Sequence, residues 1–262
     1  MTDCTKWFPF SKKISLNDDT ILVFCFHHAG GSASVYMPWT KKNDEHIAFI
    51  PIELPGKGCR MSEDYIFNMD TISSMIAKAI SEFADGRRYI LYGHSMGSAV
   101  AFKTAYELEQ NYSNKPLALM VSGRHSACIH FSDRYSTDMD DSALIDELKL
   151  MGGTPKEILE NEEVLKIIIP FIKNDYKLNE TFIYNNEVLS IPIIAYAGSK
   201  DHDASFKMMD AWKDVTTGKF SKYEYSGEHF FIFDLGDYYI DVIKNDIYNL
   251  LYKKTSRSVL VR

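Results

Sequence analysis

Cysteine is scarce in this chain of 262 residues: four occur, at Cys4, Cys25, Cys59 and Cys128. None forms a C-x-x-C pair, which excludes a zinc knuckle and a disulfide-built miniature fold. The opening residues, Met1-Thr2-Asp3-Cys4-Thr5-Lys6-Trp7, lack a basic segment followed by an apolar run. No secretory signal is therefore expected, and the thiols are expected to be reduced in a cytoplasmic protein. No stretch reaches about 18 uninterrupted apolar residues, so no membrane span is expected. Basic charge is in deficit as well. Lys and Arg number 29 against 36 Asp and Glu, a net charge of −7, which argues against a nucleic-acid partner. Internal repeats, low-complexity tracts and Pro/Gly/Ser linkers are also missing.

What remains is ordinary globular composition, 45% hydrophobic and 25% charged, which excludes a disordered chain and a coiled coil. Short continuous apolar runs at 21–26, 47–52, 89–92, 117–121 and 191–197 predict strands buried on both faces. Between them lie helical periods. Met69, Ile72, Met75, Ile76, Ala79, Ile80 and Phe83 share one helix face, and Tyr239, Val242, Ile243, Ile247, Leu250 and Leu251 share another. Alternation of this kind predicts an α/β fold with a mostly parallel central sheet flanked by helices. The interval from about 124 to 188 breaks the rhythm. It reads as helices at 142–151, 155–161 and 162–174, too long for a plain crossover. A helical lid insertion within a single domain spanning 1–262 is the expectation, placed over the ligand crevice of the sheet. Residues 252–261, next to the chain end, show no packing pattern and are expected to be partly disordered.

Gly93-His94-Ser95-Met96-Gly97 matches G-x-S-x-G, with a strand before it and a helical segment at 98–110 after it. This is the context of a nucleophile elbow, where a strained strand-to-helix turn projects the serine hydroxyl clear of the sheet. A serine hydroxyl is a poor nucleophile at neutral pH and needs a base. In the hydrolase order Ser, acid, His, the base falls near the end of the chain. His229 follows a predicted strand at 222–226, whereas His202 reads as a solvated loop residue. The acid follows the penultimate strand, where Asp201 and Asp203 compete; Asp201 lies closer to the strand end. An oxyanion hole needs two backbone donors. Met96 follows the nucleophile, and Ala29 sits in the glycine-bearing loop His27-His28-Ala29-Gly30-Gly31 after the first strand. His28 as the base contradicts the triad order.

As a set, these motifs resemble the type II thioesterases of nonribosomal peptide and polyketide synthesis, on the α/β-hydrolase fold. The resemblance rests on His28-Ala29-Gly30-Gly31-Ser32-Ala33 with Trp39, on Glu53-Leu54-Pro55-Gly56-Lys57-Gly58-Cys59-Arg60, and on the serine motif. It extends to Gly152-Gly153-Thr154-Pro155, Pro170-Phe171-Ile172-Lys173-Asn174-Asp175, Gly198-Ser199-Lys200-Asp201 and Gly227-Glu228-His229-Phe230-Phe231. The resemblance implies a triad of Ser95, Asp201 and His229. It implies hydrolysis of acyl thioesters from the phosphopantetheine arm of acyl or peptidyl carrier domains, clearing misprimed groups from a synthetase. No metal or bound cofactor is implied, since the pantetheine belongs to the partner. The chain departs from the family pattern at His27, where proline is usual, and at Lys57 and Lys173, where arginine is usual.

The lid then becomes the candidate acyl chamber. His28, Leu148, Met151 and Phe171 are candidate substrate contacts, with Leu144, Ile158, Leu165, Ile168 and Ile169 either lining the chamber or packing the lid onto the core. Gly152-Gly153 is the expected hinge. Carrier domains are commonly acidic, so an acidic enzyme must dock through a local patch. Lys57, Arg60, Lys173 and Lys177 are the candidates for it. A stand-alone carboxylesterase or lipase, an acyltransferase, and a non-catalytic binding protein on the same fold are the competing readings.

Overall fold

Six segments form one all-parallel sheet in the computed structural model, which describes residues 6–14, 16–129 and 136–252. The strands are β1 (Ile21–Phe26), β2 (Ile47–Pro51), β3 (Tyr89–His94), β4 (Leu119–Ser122), β5 (Ile193–Gly198) and β6 (Phe220–Tyr225). Their order is β2-β1-β3-β4-β5-β6. The first five are buried along their whole length, as unbroken apolar runs predict. Alternation is present but hidden by burial on both sides. In β1, Leu22, Phe24 and Phe26 enter one core and Ile21, Val23 and Cys25 enter the other. β6 is the edge strand, partly exposed along its length, and is correspondingly the least apolar.

Helices α2 (Met69–Ala84) and α3 (Met96–Asn111) cover the first face. Met69, Ile72, Ile76, Ala79 and Ile80 of α2 point into that core, whereas Met75 turns out to solvent. Asn68 starts the helix by accepting the Thr71 N–H at 2.8 Å. The other face is covered by the single turn α1 (Met37–Thr40) and by α8 (Asp237–Tyr252). Trp39 packs there edge-on to Tyr36 and Phe49, and Tyr239, Ile243 and Ile247 close the layer. Each large side chain buried in this way contributes about 1.5–3 kcal/mol.

Between β4 and β5 the described residues form α4 (Asp141–Met151), the short α5 (Lys156–Leu159) and α6 (Glu162–Glu180). The helical insertion is therefore present, but α6 runs six residues past the expected end at 174. In the fold Asp175 has a buried cationic partner and the helix continues through it. A one-turn helix, α7 (Phe231–Asp234), precedes α8. The tail segment 252–261 lies outside the described residues beyond Tyr252.

Candidate active site

The parallel sheet brings the carboxyl ends of its strands to one edge, and the chemically distinctive residues collect there. Ser95 stands between β3 and α3 with φ 53° and ψ −121°, outside the ordinary regions for a residue with a side chain. Its N–H donates to the Ser122 carbonyl of β4 at 2.9 Å, which helps hold the strained turn. The flanking glycines have a steric cause. A Cβ on Gly93 would lie 2.3 Å from the Gly97 carbonyl oxygen, and one on Gly97 would lie 2.1 Å from that of Phe26. No side chain fits at either position.

His229, in the loop after β6, places Nε2 3.0 Å from Ser95 Oγ. Its Nδ1 lies 3.0 Å from Asp201 Oδ2, in the loop after β5. The second oxygen of Asp201 accepts the N–H groups of Asp203 (2.9 Å) and Ala204 (3.2 Å). Asp203 thus serves through its backbone, and His202 is exposed. Burial opposes the charge on Asp201. The His229 hydrogen bond, the positive charge that His229 can carry and the two backbone donors outweigh it, and hold the carboxyl below the usual carboxylate range. Both His229 and Asp201 are buried, so their mutual bond is little screened.

Other imidazoles crowd this row. His94 is fully buried and its Nδ1 meets Ser122 Oγ at 2.9 Å. Burial, reinforced by the neighbouring His229 and His28, pushes its pKa well below the ordinary histidine value. Burial likewise lowers His28 to about 4, against the opposing effect of its bond to the Ala29 carbonyl. Among these rings His229 is the one bonded to a carboxylate.

Ser95, Met96 and Ala29 share the wall of one cavity of about 330 Å³. Met96 is the first residue of α3, so its N–H has no acceptor within the helix. In the loop after β1, Gly30 donates to Asp175 Oδ2 at 2.6 Å and Gly31 to the His28 carbonyl at 3.1 Å. Ala29, between them and β1, lines the cavity with the serine. The rest of the wall includes Arg124, Ser126, Glu147, Met151, Tyr176, Asn179 and Glu180. Among the described residues, no group of three or more His, Cys, Asp or Glu is placed to hold a metal ion.

The apolar residues of the lid divide between the cavity wall and the lid's own core, the two placements that the sequence leaves open. Of the candidates, Met151 lines the cavity. Leu144, Leu165, Ile169 and Ile172 bury one another in a small lid core, and Leu148 packs against it. Phe171 is 39% exposed. His28 does not line the cavity; its ring meets Phe230 at 4.9 Å and Phe233 at 5.6 Å. The polar residues of α6 on the cavity wall, Tyr176, Asn179 and Glu180, follow i, i+3, i+4 spacing. They lie in the stretch that the sequence reading excluded from the helix.

Two docking candidates are likewise corrected. Lys57 is 6% exposed, its ammonium paired with the Asp175 carboxylate of α6. Arg60 is 6% exposed, its guanidinium over the Trp7 ring at 4.0 Å and bonded to Glu63 and to the Glu53 carbonyl. Both charges are consumed inside the protein and cannot meet a partner's surface. Lys173 is partly exposed and tied to Asp141. Lys177 is exposed, 5.8 Å over the Phe67 ring. Gly152 and Gly153 take positive φ values of 71° and 77°. A Cβ on Gly153 would lie 2.2 Å from the Phe230 ring, so close packing beside His229 already requires glycine there.

Comparison with known proteins adds a family. The thioesterase domain family matches residues 22–245. Linear gramicidin dehydrogenase LgrE of Brevibacillus parabrevis is 31% identical over 235 residues, covering 88% of this chain and 89% of that protein. Thioesterase PikA5 of Streptomyces venezuelae is 30% identical over 218 residues, 83% of this chain and 77% of that one. Among solved structures, YbtT, a type II thioesterase from the yersiniabactin NRPS/PKS pathway, superposes with a TM-score of 0.78 at 26% identity. It covers 89% of this chain and 95% of YbtT.

Proposed function

The chain belongs to the thioesterase domain family, and on that premise we propose that it is a serine thioesterase of the type II class. It removes acyl groups from the phosphopantetheine arm of carrier domains in a nonribosomal peptide or polyketide synthetase. The observation that carries this reading is the unbroken row Ser95–His229–Asp201, with both links at 3.0 Å.

In this reading His229 Nε2 takes the Ser95 proton as Oγ attacks the thioester carbonyl. Asp201 keeps the hydrogen on Nδ1 and stabilises the imidazolium that forms. Charge gathers on the former carbonyl oxygen, where the Met96 and Ala29 N–H groups receive it. One such donor is worth about 3 kcal/mol. The carbon–sulfur bond breaks and the pantetheine thiolate leaves with the proton from His229. Water, deprotonated by the same imidazole, then attacks the acyl-serine and releases the free acid. Every step is carried by side chains and backbone of this chain; the pantetheine enters and leaves with its carrier, in the cytoplasm beside the synthetase.

The test is release of acyl groups from loaded carrier domains, measured against nitrophenyl esters. Wild type is expected to favour the carrier thioester, and Ser95→Ala to lose at least ~10⁴-fold in kcat. A strong preference for oxygen esters with no carrier activity favours the esterase reading instead. Transfer of the acyl group to an added amine rather than to water favours an acyltransferase.

A further inference from the structure

Ala29 sits in a loop, and the peptide that carries its N–H can turn about His28 ψ and Ala29 φ, a freedom that a functional donor cannot tolerate. A rotation of the peptide joining His28 and Ala29 would turn the Ala29 N–H away from the serine and present a carbonyl oxygen in its place. Something must fix that one peptide. Its carbonyl, on His28, accepts two hydrogen bonds. One comes from the Gly31 N–H at 3.1 Å, the other from His27 Nδ1 at 2.9 Å. In a planar trans peptide the C=O and N–H point in opposite directions. Two donors gripping the carbonyl therefore aim the Ala29 N–H to the other side of the peptide; Ala29 lines the cavity with Ser95 and Met96.

We infer that His27 is a positioning residue for the oxyanion hole, setting the Ala29 N–H through the His28 carbonyl. This rests on the reading of Ala29 as an oxyanion donor. A carbonyl can only accept, so the hydrogen sits on His27 Nδ1 and Nε2 is bare. Nε2 finds no hydrogen-bond partner among the described residues, although the ring is 2% exposed. An apolar ring would avoid that cost, so the bond made by Nδ1 is what the imidazole adds at this position. Burial, aided by the Lys57 charge, lowers its pKa to about 3, so the ring stays a neutral, single donor throughout the working range. The neighbouring peptide is held from both ends as well. His28 Nδ1 donates to the Ala29 carbonyl at 2.8 Å, and Asp175 receives the Gly30 N–H. Successive histidines thus grip successive carbonyls on either side of Ala29.

The test compares His27→Phe, which keeps a ring without a donor, with His27→Asn, whose side-chain nitrogen overlays Nδ1, and His27→Gln, whose nitrogen reaches one atom too far. Each is assayed on a small acyl thioester and titrated with a trifluoromethyl ketone, whose adduct places an oxyanion in the hole; melting temperatures are recorded alongside. Loss of a whole oxyanion donor costs about 10²–10³ in kcat, so a misaimed one is expected to cost roughly 10–100-fold. That loss is expected in both Phe and Gln variants, in kcat with KM within about twofold, and matched by an equal loss of ketone affinity. The Asn variant is expected to recover most of both. If Phe or Gln retains wild-type kcat and ketone affinity, or if Asn falls as far as they do while melting normally, the inference is overturned. Should Phe fail to fold, the Asn–Gln contrast decides. Failure of the functional reading looks different: Ser95→Ala would then hydrolyse the thioester as well as wild type, and the inference would fall with it.

Discussion

The Ser95–His229–Asp201 row and the helical segment above it are held in different ways. Each residue of the row follows a strand of the buried sheet, and each is fixed by several partners. Ser95 is pinned by the Ser122 carbonyl, Asp201 by two backbone donors, and His229 by both neighbours. The lid helices α4 to α6 rely on a small apolar core of their own, Leu144, Leu165, Ile169 and Ile172. The second half of α6 is tied firmly to the body. Leu178 enters the main core, Asp175 pairs with Lys57 and Gly30, and the Thr181 hydroxyl just after the helix accepts the Met69 N–H. Chemistry demands sub-ångström placement and receives a rigid frame. Admission of an acyl chain demands adaptable walls and receives a lightly built one.

The sharpest way to break this contrast is at the frame. Asp201→Asn preserves shape but removes the charge that holds the imidazole tautomer. A drop of roughly 10⁴-fold in kcat is expected, by the precedent of such triads. Single-turnover acylation kinetics measure it, and activity within tenfold of wild type would show that the row is not the engine. Next comes the joint between the regions. Gly153→Ala drives a methyl group into the Phe230 ring, next to His229. A displacement near 1 Å costs about 10²-fold, so a fall of that order in kcat is expected, together with a lowered melting temperature from alanine at a positive φ. An unchanged kcat would show that the lid and the row are uncoupled.

Ile169→Ala loosens the lid core alone. A local loss of about 2 kcal/mol is expected. It should appear as faster amide exchange in α4 and α6, with the amides of β3 and α3 unchanged and small-ester hydrolysis intact. Equal acceleration in both regions would mean that they unfold as one. The smallest effect is reserved for the surface. Lys177→Glu is expected to raise KM for an acyl-carrier substrate by roughly threefold and leave that for a small thioester unchanged, because a rim charge acts mainly on encounter. Steady-state kinetics on the two substrates separate the outcomes, and equal KM values would remove α6 from the docking face.

The same contrast governs what could be read in advance. The strand and helix positions were legible to within a few residues because burial on both faces forces unbroken apolar runs and amphipathic packing forces a helical period. Ser95 was legible because its turn forbids a side chain at Gly93 and Gly97, and that prohibition is written in the neighbouring letters. His229 and Asp201 were legible through chain order and position after strands. The lid's letters carry two meanings. Its apolar residues satisfy a helix face whether that face lines a chamber or a lid core. The expected helix stops at 174, whereas α6 continues through Asp175, which meets a buried cation supplied from elsewhere.

By itself, then, the sequence determined the alternation of strands and helices, the strained serine turn and the residues that can serve it, since these rest on local sterics and short-range periodicity. Tertiary structure alone decided which charges reach solvent and what faces the cavity. Lys57 meets Asp175 across 118 positions of sequence, and His229 meets Ser95 across 134. Burial and pairing at such separations depend on where the sheet brings the chain back, and no local pattern encodes that.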